Sequence, residues 1–511
     1  MAPDDKFVTV YKKLLVANRG EIALRVIRAC HDLGVETVAV YSDADVHAPF
    51  VRAADEAIRL GPPPANESYL RGDLIIEAAK HTGAEAIHPG YGFLSERAWF
   101  ARAVRDAGLI WVGPPAEAIE AMGSKTDARR LAIAHGVPVV PGTTDALKDA
   151  KEAKAIAKQF GFPVLLKAAA GGGGKGMRVV REAAEIDGAL DAARREAKNA
   201  FGDDAVYIEK FIEGPRHVEI QILADQHGNV ISLGERECSI QRRHQKMIEE
   251  APSTALDGAL RRKMGEAAIA AVRAAGYVNA GTCEFLLDRD KNFYFLEMNT
   301  RIQVEHPVTE FVTGIDLVQW QLRIAAGEKL PYPAHMEPRG CAIECRITSE
   351  DPANGFLPST GRIEYVMPPA GPDVRWDSGI DTGTTVGLNY DPMLAKLIVR
   401  ADTRELAIAR MRRALMDLTI VGVDTSREFH LRMMDNEDFK RGAFDIQWLE
   451  RTMPAILGVA PPKDTLNVAA IAATLLAERD RGRRRNGAAT QAVSRDGAWI
   501  ETARREALRG E

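Results

Sequence analysis

The first 114 residues alternate short apolar runs with amphipathic stretches, and this alternation constrains the fold more than any other feature of the sequence. Residues 13–18 (KLLVAN) predict a buried strand, Gly20 ends it, and apolar side chains then recur at helical spacing at Ile22, Val26 and Cys30. The same succession predicts further strands at VETVAVYS, AEAIHPG and LIWVGPP, with helices between them. Because parallel strands need helical crossovers, this segment is expected to form a parallel α/β layer.

Length and charge limit the classes of protein that this chain can belong to. Its 511 residues correspond to about three domains. With 67 basic and 72 acidic residues, the net charge is −5, which disfavours nonspecific nucleic-acid binding. No apolar run reaches the roughly 18–20 residues of a membrane helix, and the charged N-terminus lacks the apolar core of a signal peptide. Five cysteines are typical of free thiols in a reducing compartment, so a cytoplasmic protein is expected.

A glycine-rich loop follows a predicted strand and precedes another. The loop reads Gly171, Gly172, Gly173, Gly174, Lys175, Gly176, with VLLK before it and MRVV after it. A strand on each side predicts a hairpin flap, whereas a dinucleotide-binding turn would lead into a helix. A flap of this kind exposes many backbone N–H groups and suits a polyphosphate, which Lys167 is placed to reach.

Two glutamates are predicted to face each other on a second hairpin. Residues CEFLLD and FYFLEMN flank a turn at Asp290 and Lys291. A two-residue loop there, or a four-residue loop at 289–292, pairs Glu284 with Glu297. Two facing carboxylates repel each other unless a cation or a proton lies between them. The pair therefore predicts a site for Mg²⁺ or Mn²⁺ bridging nucleotide phosphates.

Polar residues continue along the second strand at odd-numbered positions. If the chain stays extended, Glu297, Asn299, Arg301, Gln303 and Glu305 share one face and predict the lining of a site. They offer metal ligands, donors to an oxyanion and a base. A further cluster within residues 235–252 contains many hydrogen-bond donors that suit phosphates or another anion: Gln241, Arg242, Arg243, His244 and Lys246.

Over roughly residues 10–450 the chain resembles the biotin carboxylases, which are ATP-grasp enzymes. The resemblance rests on motifs that occur in the family's order, among them KLLVANRGEIALRVIRAC, HPGYGFLSE, KAAAGGGGKGM, ERECSIQRRHQK, FYFLEMNTRIQVEHPVTE and YDPMLAKLI. It implies an α/β protein with a parallel N-terminal domain (1–122), a central ATP-grasp domain (123–335) and an α+β C-terminal domain (336–455). The glycine flap would belong to a subdomain at about 140–210, and residues 456–511 would form an Ala- and Arg-rich extension.

The resemblance also implies a role for individual residues. Those expected to bind the nucleotide are Lys125, Lys167, the loop 171–176, Met177, Glu209, Lys210, His217, Gln241, His244, Leu286 and Ile446. Those expected to contact bicarbonate or biotin are Lys246, Arg301, Gln303, Val304, Arg346, Tyr91 and Asp391. Glu305 would be the general base, with Arg301, Arg346 and Lys246 also catalytic, and Glu284, Glu297 and Asn299 would hold the metal.

The implied activity is that of an ATP-dependent ligase. ATP and bicarbonate would carboxylate biotin on a carrier protein through carboxyphosphate, with Mg²⁺ or Mn²⁺, as the first half-reaction of an acyl-CoA carboxylase such as acetyl-CoA carboxylase. The implied partners are a biotin carboxyl carrier protein, a carboxyltransferase and a second copy of this chain; neither nucleic acid nor a membrane is expected. Alternatives are another ATP-grasp ligase, a biotin carboxylase subunit of pyruvate-carboxylase type and a catalytically dead nucleotide-binding module.

The length beyond residue 450 is too short for a biotinyl domain of about 70–80 residues. No Met-Lys-Met biotin attachment motif occurs in the chain, so the carrier is expected on a separate chain or on a longer form of this one. The final GAWIETARREALRGE weakly resembles the start of the carboxyltransferase-docking domain of acyl-CoA carboxylase α subunits.

Overall fold

The computed structural model describes residues 11–143, 145–168, 177–458, 468, 470–475, 477 and 478, without the side chains of residues 125, 200 and 201. The chain divides into two units, residues 1–457 and 458–511. In the second unit, residues 470–475 are helical. In the described part of the chain, no helix combines the length and the apolar character needed to cross a membrane.

The N-terminal region of the first unit is a five-stranded sheet with every neighbouring pair parallel and with the order β3-β2-β1-β4-β5. Its elements are β1 (Lys13–Val16), α1 (Gly20–Asp32), β2 (Glu36–Ser42), α2 (Pro49–Ala53), β3 (Glu56–Gly61), α3 (Gly72–Thr82), β4 (Ala86–His88), α4 (Ala98–Asp106) and β5 (Ile110–Trp111). The predicted parallel layer is confirmed. The edge strand β3 escaped prediction because only Leu60 and Gly61 of it are buried, which leaves little apolar pattern to recognise.

The next region carries the glycine-flap hairpin on a small sheet of its own. Its helices and strands are α5 (Ala116–Gly123), α6 (Lys125–Ala134), α7 (Ala150–Phe160), β6 (Val164–Ala168), β7 (Met177–Val180), α8 (Ile186–Phe201) and β8 (Val206–Lys210). Strand β6 pairs antiparallel with both β7 and β8. The predicted hairpin around the flap is therefore confirmed, while residues 169–176 of the loop itself lie outside the described residues.

The central sheet of the first unit is antiparallel and has eight strands, in the order β13-β12-β9-β10-β11-β14-β21-β19. The elements before residue 335 are β9 (Arg216–Ala224), β10 (Val230–Arg242), β11 (Gln245–Ala251), α9 (Gly258–Ala274), β12 (Asn279–Leu287), β13 (Phe293–Asn299), α10 (His306–Thr313) and α11 (Leu317–Ala325). Strand β11 pairs with β14, so one sheet runs without interruption across residue 335.

The remaining elements complete this sheet and cover it. They are β14 (Cys341–Thr348), β15 (Glu350–Asp351), β16 (Leu357–Pro358), β17 (Gly361–Arg362), β18 (Tyr365–Met367), β19 (Val374–Ser378), β20 (Thr385–Val386), β21 (Met393–Ala401), α12 (Arg404–Asp417), β22 (Thr419–Val421), α13 (Arg427–Asp435), α14 (Glu437–Lys440) and α15 (Trp448–Leu457). Apolar residues of β14, β21, α12 and α13 form one core cluster on this side of the sheet. All five cysteines are buried free thiols, as the sequence predicted.

Charged side chains occupy positions in the central sheet that are ordinarily apolar. Glu219, Arg236, Glu249 and Lys396 are all buried. A buried charge is tolerated only when it is paired or hydrogen-bonded. The central sheet therefore contains a buried network of charged side chains, part of which adjoins the candidate site.

Candidate active site

A cavity of about 660 Å³ opens between the N-terminal region, the central sheet and the flap hairpin. This volume suits a nucleotide or another small ligand. Eighteen of the residues predicted from the sequence line it: Tyr91, Lys167, Met177, Glu209, His217, Gln241, His244, Lys246, Glu284, Glu297, Asn299, Arg301, Gln303, Val304, Glu305, Arg346, Asp391 and Ile446. Residues as far apart in the sequence as Tyr91 and Ile446 thus meet in one place.

Two residues predicted for the nucleotide site do not line the cavity, and two further predictions lie outside the described residues. Lys210 and Leu286 are not among the residues that line the cavity. The ammonium of Lys210 instead donates hydrogen bonds to the carbonyls of Gly161 and Phe162, at 2.9 and 3.1 Å. The side chain of Lys125 and the loop 171–176 lie outside the described residues.

The facing glutamates are confirmed, but the predicted turn is wrong. Glu284 lies opposite Glu297 in the β12–β13 hairpin. Beyond this pair the register shifts by one residue, and Phe285 lies opposite Phe295. The loop accordingly joins Leu287 to Phe293 through Asp288–Asn292, with Lys291 at a φ of 66°. A bulge at Leu296 then restores the predicted pairing, because the extra residue shifts the register back by one.

The extended row of five polar residues is also wrong in its geometry. Strand β13 ends at Asn299, and residues 300–305 form bends and a turn that lead into α10. The chain therefore does not alternate faces after Asn299. Arg301, Gln303 and Glu305 still line the cavity, because this turn wraps around it.

Glu305 is held between two cations at the centre of the site. One of its oxygens accepts a hydrogen bond from Lys246 at 2.6 Å, and the other accepts one from Arg346 at 2.9 Å. Burial by itself would raise the pKa of Glu305, but Lys246 and Arg346 outweigh burial and hold this pKa well below its usual value. Glu305 is therefore a carboxylate with both oxygens engaged by cations.

Lys246 is correspondingly surrounded by carboxylates. Its ammonium lies 2.5 Å from Glu219, 3.2 Å from Glu284 and 2.6 Å from Glu305. Burial would lower the pKa of Lys246, but these three negative charges outweigh it and raise the pKa well above its usual value. The lysine is a fixed positive charge at the point where an anion would enter.

Arg346 links Glu305 to a second buried carboxylate. Its guanidinium donates to Glu249 at 2.6 Å and to Glu305 at 2.9 Å. The pKa of Glu249 is raised to about 7, first by burial and against the opposing charge of Arg346. Arg346 is thus oriented from both sides and turned toward the cavity.

The donor set around Glu284 fits a divalent cation. Glu284 accepts hydrogen bonds from Asn299 and Gln303, both at 2.9 Å, and lies 3.2 Å from His217. Burial would raise the pKa of Glu284, but Lys246 and His217 hold it well below its usual value. Paired carboxylates with an adjacent amide are the hard oxygen ligands that Mg²⁺ and Mn²⁺ prefer. Glu284, Glu297 and Asn299 therefore fit the predicted metal site.

The opposite end of the cavity combines a lysine with an apolar wall. Lys167 donates to Glu209 at 2.5 Å, and Arg129 donates to the other oxygen of Glu209 at 3.2 Å. Met177 and Ile446 line the same cavity. A nucleotide would match these residues, since its flat nucleobase would pack on the apolar side chains and its phosphates would lie near the lysine.

Three protein-family models match the chain in succession. They are the biotin carboxylase N-terminal domain over residues 10–119, the ATP-binding domain of the carbamoyl-phosphate synthase L chain over 124–332 and the biotin carboxylase C-terminal domain over 344–451. Biotin carboxylase 1 of Bacillus subtilis is 51% identical over 441 residues, which cover 86% of this chain and 98% of that protein. This chain belongs to the biotin carboxylase family. A second relative, the propionyl-CoA carboxylase alpha chain of Ruegeria pomeroyi, is 49% identical over 489 residues, covering 91% of this chain and 72% of that one.

A solved structure of a biotin carboxylase shares the same fold. The biotin carboxylase domain dimer of Hydrogenobacter thermophilus 2-oxoglutarate carboxylase, in complex with MgADP, ADP and bicarbonate, superposes with a TM-score of 0.82 at 48% identity. The match covers 88% of this chain and 99% of that domain. The predicted fold class is therefore confirmed: a parallel N-terminal domain, an ATP-grasp domain and a C-terminal domain of biotin carboxylase type.

One residue that connects several elements of this biotin carboxylase site, Arg236, was not predicted from the sequence. Arg236 is fully buried in β10 and donates to Glu219, Gln221 and Thr282, and also to Gln303 and Thr309. The five partners come from strands β9 and β12, helix α10 and the turn before α10. The strand sequence VISLGERECSIQR mixes charged with apolar residues, and no pattern in it distinguishes Arg236 from its neighbours.

A buried histidine supports the strand that carries Arg346, and it predicts an acid-sensitive fold. The Nε2 of His430 donates to the Arg346 carbonyl at 2.7 Å, and burial lowers the pKa of His430 to about 4. The unfolded chain, with a pKa near 6.5, binds a proton that the native state excludes, so stability is expected to fall as pH drops from about 6.5 toward 4.

Replacing His430 is expected to remove part of this loss. The His430→Gln variant should lose about 2 kcal/mol less unfolding free energy than the wild type between pH 7 and pH 5. Urea unfolding at the two pH values measures this difference. The buried His88, whose pKa is also lowered to about 4, is present in both proteins and cancels. Equal losses in the two proteins would contradict the assignment.

Proposed function

We propose that this chain catalyses the ATP-dependent carboxylation of biotin by bicarbonate, with the biotin attached to a carrier protein. The observation that carries this proposal is the placement of Glu305. Glu305 accepts hydrogen bonds from Lys246 and Arg346, and it lines the same cavity as Glu284 and Glu297, which lie opposite each other. A base flanked by cations, beside a site for a metal and phosphates, suits activation of a small anion.

In the first step, bicarbonate would lie against Lys246, Arg301 and the Gln303–Val304 turn. These groups would neutralise its charge and direct one oxygen toward the γ-phosphate. Glu305 would accept the bicarbonate proton, since deprotonation makes this weak nucleophile reactive. Attack on the γ-phosphorus breaks its bond to the bridging oxygen and gives carboxyphosphate and ADP.

The nucleotide would be held by residues at both ends of the cavity. Lys167, together with the predicted Lys125 and loop 171–176, would contact the phosphates, and Met177 and Ile446 would pack on the base. Glu284, Glu297 and Asn299 would hold Mg²⁺ or Mn²⁺, which when bound neutralises charge on the phosphates. The flap would exclude water from the reactive intermediate.

In the second step, carboxyphosphate would release CO₂ and phosphate. The phosphate would take the proton from the ureido nitrogen of biotin, and that nitrogen would then attack CO₂. Arg346 would neutralise the enolate oxygen that forms on biotin. Tyr91 and Asp391, which line the cavity, would contact the biotin.

We further infer that the chain acts within an acyl-CoA carboxylase, with a biotin carrier, a carboxyltransferase and a second copy of itself as partners. The match to the R. pomeroyi propionyl-CoA carboxylase alpha chain covers 91% of this chain, against 86% for the B. subtilis biotin carboxylase. The additional coverage supports an α-subunit type of chain. The dimer stated for the Hydrogenobacter domain supports self-association.

The proposed activity is tested by measuring ADP release with ATP, Mg²⁺ and bicarbonate, with and without free biotin. We expect bicarbonate-dependent hydrolysis that biotin stimulates, together with transfer of ¹⁴C from labelled bicarbonate to biotin. Avidin added before biotin should abolish both the stimulation and the transfer. Hydrolysis that biotin leaves unchanged, without labelled biotin, would contradict the proposal.

The same assay distinguishes the main alternative. A carbamoyl-phosphate-type ligase would also activate bicarbonate, and the central family model carries that description. Such an enzyme would respond to ammonia, whereas we expect no response to ammonia here. The mixed set of Arg346, Tyr91 and Asp391 around one end of the cavity favours biotin as the second substrate.

A further inference from the structure

Lys396 is a buried lysine that the mechanism above does not use. It lies on β21 with no exposed surface. Its ammonium donates a hydrogen bond to the carbonyl oxygen of Val304 at 2.8 Å and lies 3.1 Å from a carboxylate oxygen of Glu21. A buried ammonium is costly to place away from water, so these two contacts must hold it firmly.

The contact with Val304 acts on the base. Val304 and Glu305 belong to the turn between β13 and α10, where neither strand nor helix hydrogen bonds fix the Val304 carbonyl. The carbonyl of Val304 and the N–H of Glu305 are part of one planar peptide group. Lys396 therefore fixes the plane from which the Glu305 side chain extends into the cavity.

The contact with Glu21 acts on the other side of the cavity. Glu21 lies in the first turn of α1, where a carboxylate is favoured by the helix dipole, and it accepts a hydrogen bond from the Tyr91 hydroxyl. Tyr91 lines the cavity. The path from Lys396 through Glu21 to Tyr91 is buried at every step, apart from the part of Tyr91 that faces the cavity.

The approach of α1 to the central sheet depends on a glycine. A Cβ atom at Gly379, just after β19, would lie 2.9 Å from the Glu21 nitrogen and 3.0 Å from the Gly20 Cα. The first distance is shorter than real Cβ contacts and the second is tighter than most of them, and both neighbours are backbone atoms, which give way less easily than a flexible side chain. The absence of a side chain at residue 379 thus lets Glu21 reach the neighbourhood of Lys396.

We propose that Lys396 is a positioning residue for the carboxylation reaction. Through Val304 it orients the peptide group that precedes Glu305, and through Glu21 it orients Tyr91. One buried cation therefore fixes the position of the base that acts on bicarbonate relative to the tyrosine proposed to contact biotin. This inference rests on the proposed function. It assigns a role to a residue that the motif YDPMLAKLI contains and that touches neither substrate.

The test separates positioning from stability with two variants. Lys396→Met removes the cation but leaves Glu21 as an unpaired buried charge, so we expect both a lower melting temperature and lower activity. Lys396→Met combined with Glu21→Gln removes both charges and should recover much of the melting temperature. We expect kcat/KM for bicarbonate to remain reduced by about 30- to 100-fold in the double variant, since small misplacements of reacting groups have effects of this size. The KM for MgATP should change by less than about twofold.

Glu250→Gln is the matched control. Glu250 is also buried in the central sheet and pairs with Arg404 at 2.7 Å, and neither residue lines the cavity. This variant should lose stability while keeping its kcat/KM for bicarbonate. If it loses bicarbonate activity as the Lys396 variants do, general destabilisation explains the loss and the positioning role is overturned.

The remaining outcomes also decide the question. A folded double variant with the wild-type kcat/KM for bicarbonate overturns the inference. If both Lys396 variants fail to fold, Glu21→Gln alone decides, because it keeps the buried volume: a raised KM for free biotin supports the link to Tyr91, and an unchanged one overturns it. Wild-type protein is assayed first, so that absence of biotin carboxylation there counts against the proposed function and not against the role of Lys396.

Discussion

The Glu305→Gln variant is expected to bind MgATP normally and to lose bicarbonate-dependent turnover by about 10²- to 10⁴-fold. The substitution keeps the size of the side chain but removes its ability to accept a proton. It also leaves Lys246 and Arg346 without the carboxylate that now accepts from both. Steady-state ADP release at saturating ATP, with bicarbonate varied, measures the effect, and nucleotide binding is measured separately by calorimetry.

A matched control is Glu235→Gln. Glu235 is likewise buried and pairs with an arginine, Arg261 at 2.6 Å, but it does not line the cavity. The control should keep its turnover within about a factor of two, because the partners of Glu235, Ser253 and Arg261, do not line the cavity or contact Glu305. If Glu305→Gln retained wild-type turnover, another residue would have to be the base.

The Arg236→Met variant is expected to lose about 3–5 kcal/mol of unfolding free energy, because it removes one of the two cations that pair with the fully buried Glu219 and leaves this carboxylate to Lys246 alone. The variant also removes the hydrogen bond from Arg236 to Gln303, which lines the cavity. We therefore expect a lower kcat/KM for bicarbonate in the folded fraction of the protein. Guanidinium unfolding gives the stability change if the slope with denaturant is unchanged. Bicarbonate-dependent turnover below the unfolding transition gives the second effect.

Two further variants bracket this result. Arg102→Met removes an exposed arginine paired with the exposed Glu120 and should change the unfolding free energy by less than about 1 kcal/mol. Arg236→Met combined with Glu219→Gln should recover part of the loss, since it removes the buried carboxylate that has lost one of its two cations. A loss below about 1 kcal/mol for Arg236→Met itself would show that the network does not depend on this arginine.

Much of the fold was predictable because it follows from local apolar patterns. Strands and helices of the N-terminal sheet repeat at regular spacing, and the hairpins around the flap and around Asp290 combine apolar runs with turn residues. Strand β3 was the exception, since most of its side chains are exposed at the edge of the sheet. A pattern that rests on burial does not report a strand that is not buried.

The site was predictable residue by residue but not in its geometry. Facing carboxylates at Glu284 and Glu297 followed from hairpin pairing, yet the actual loop is one residue out of register and the bulge at Leu296 compensates. Nothing in the sequence distinguishes the five-residue loop Asp288–Asn292 from a shorter one, or marks the bulge at Leu296. The turn at 300–305 likewise brings Arg301, Gln303 and Glu305 to the cavity by folding back, although their alternation favoured an extended strand.

The sequence by itself determined which chemical groups the protein carries and the order of its motifs, because residue type and short-range spacing are local properties. Tertiary structure alone decided which buried charges from distant parts of the chain form ion pairs. Arg236, Glu249 and Lys396 lie on different strands of the central sheet, and Glu21 comes from the N-terminal helix. Their pairing depends on strand order and on the close approach of α1 at Gly379. Buried ion pairs form between residues distant in sequence, since burial excludes water and leaves each charge only the partners that the packing brings to it.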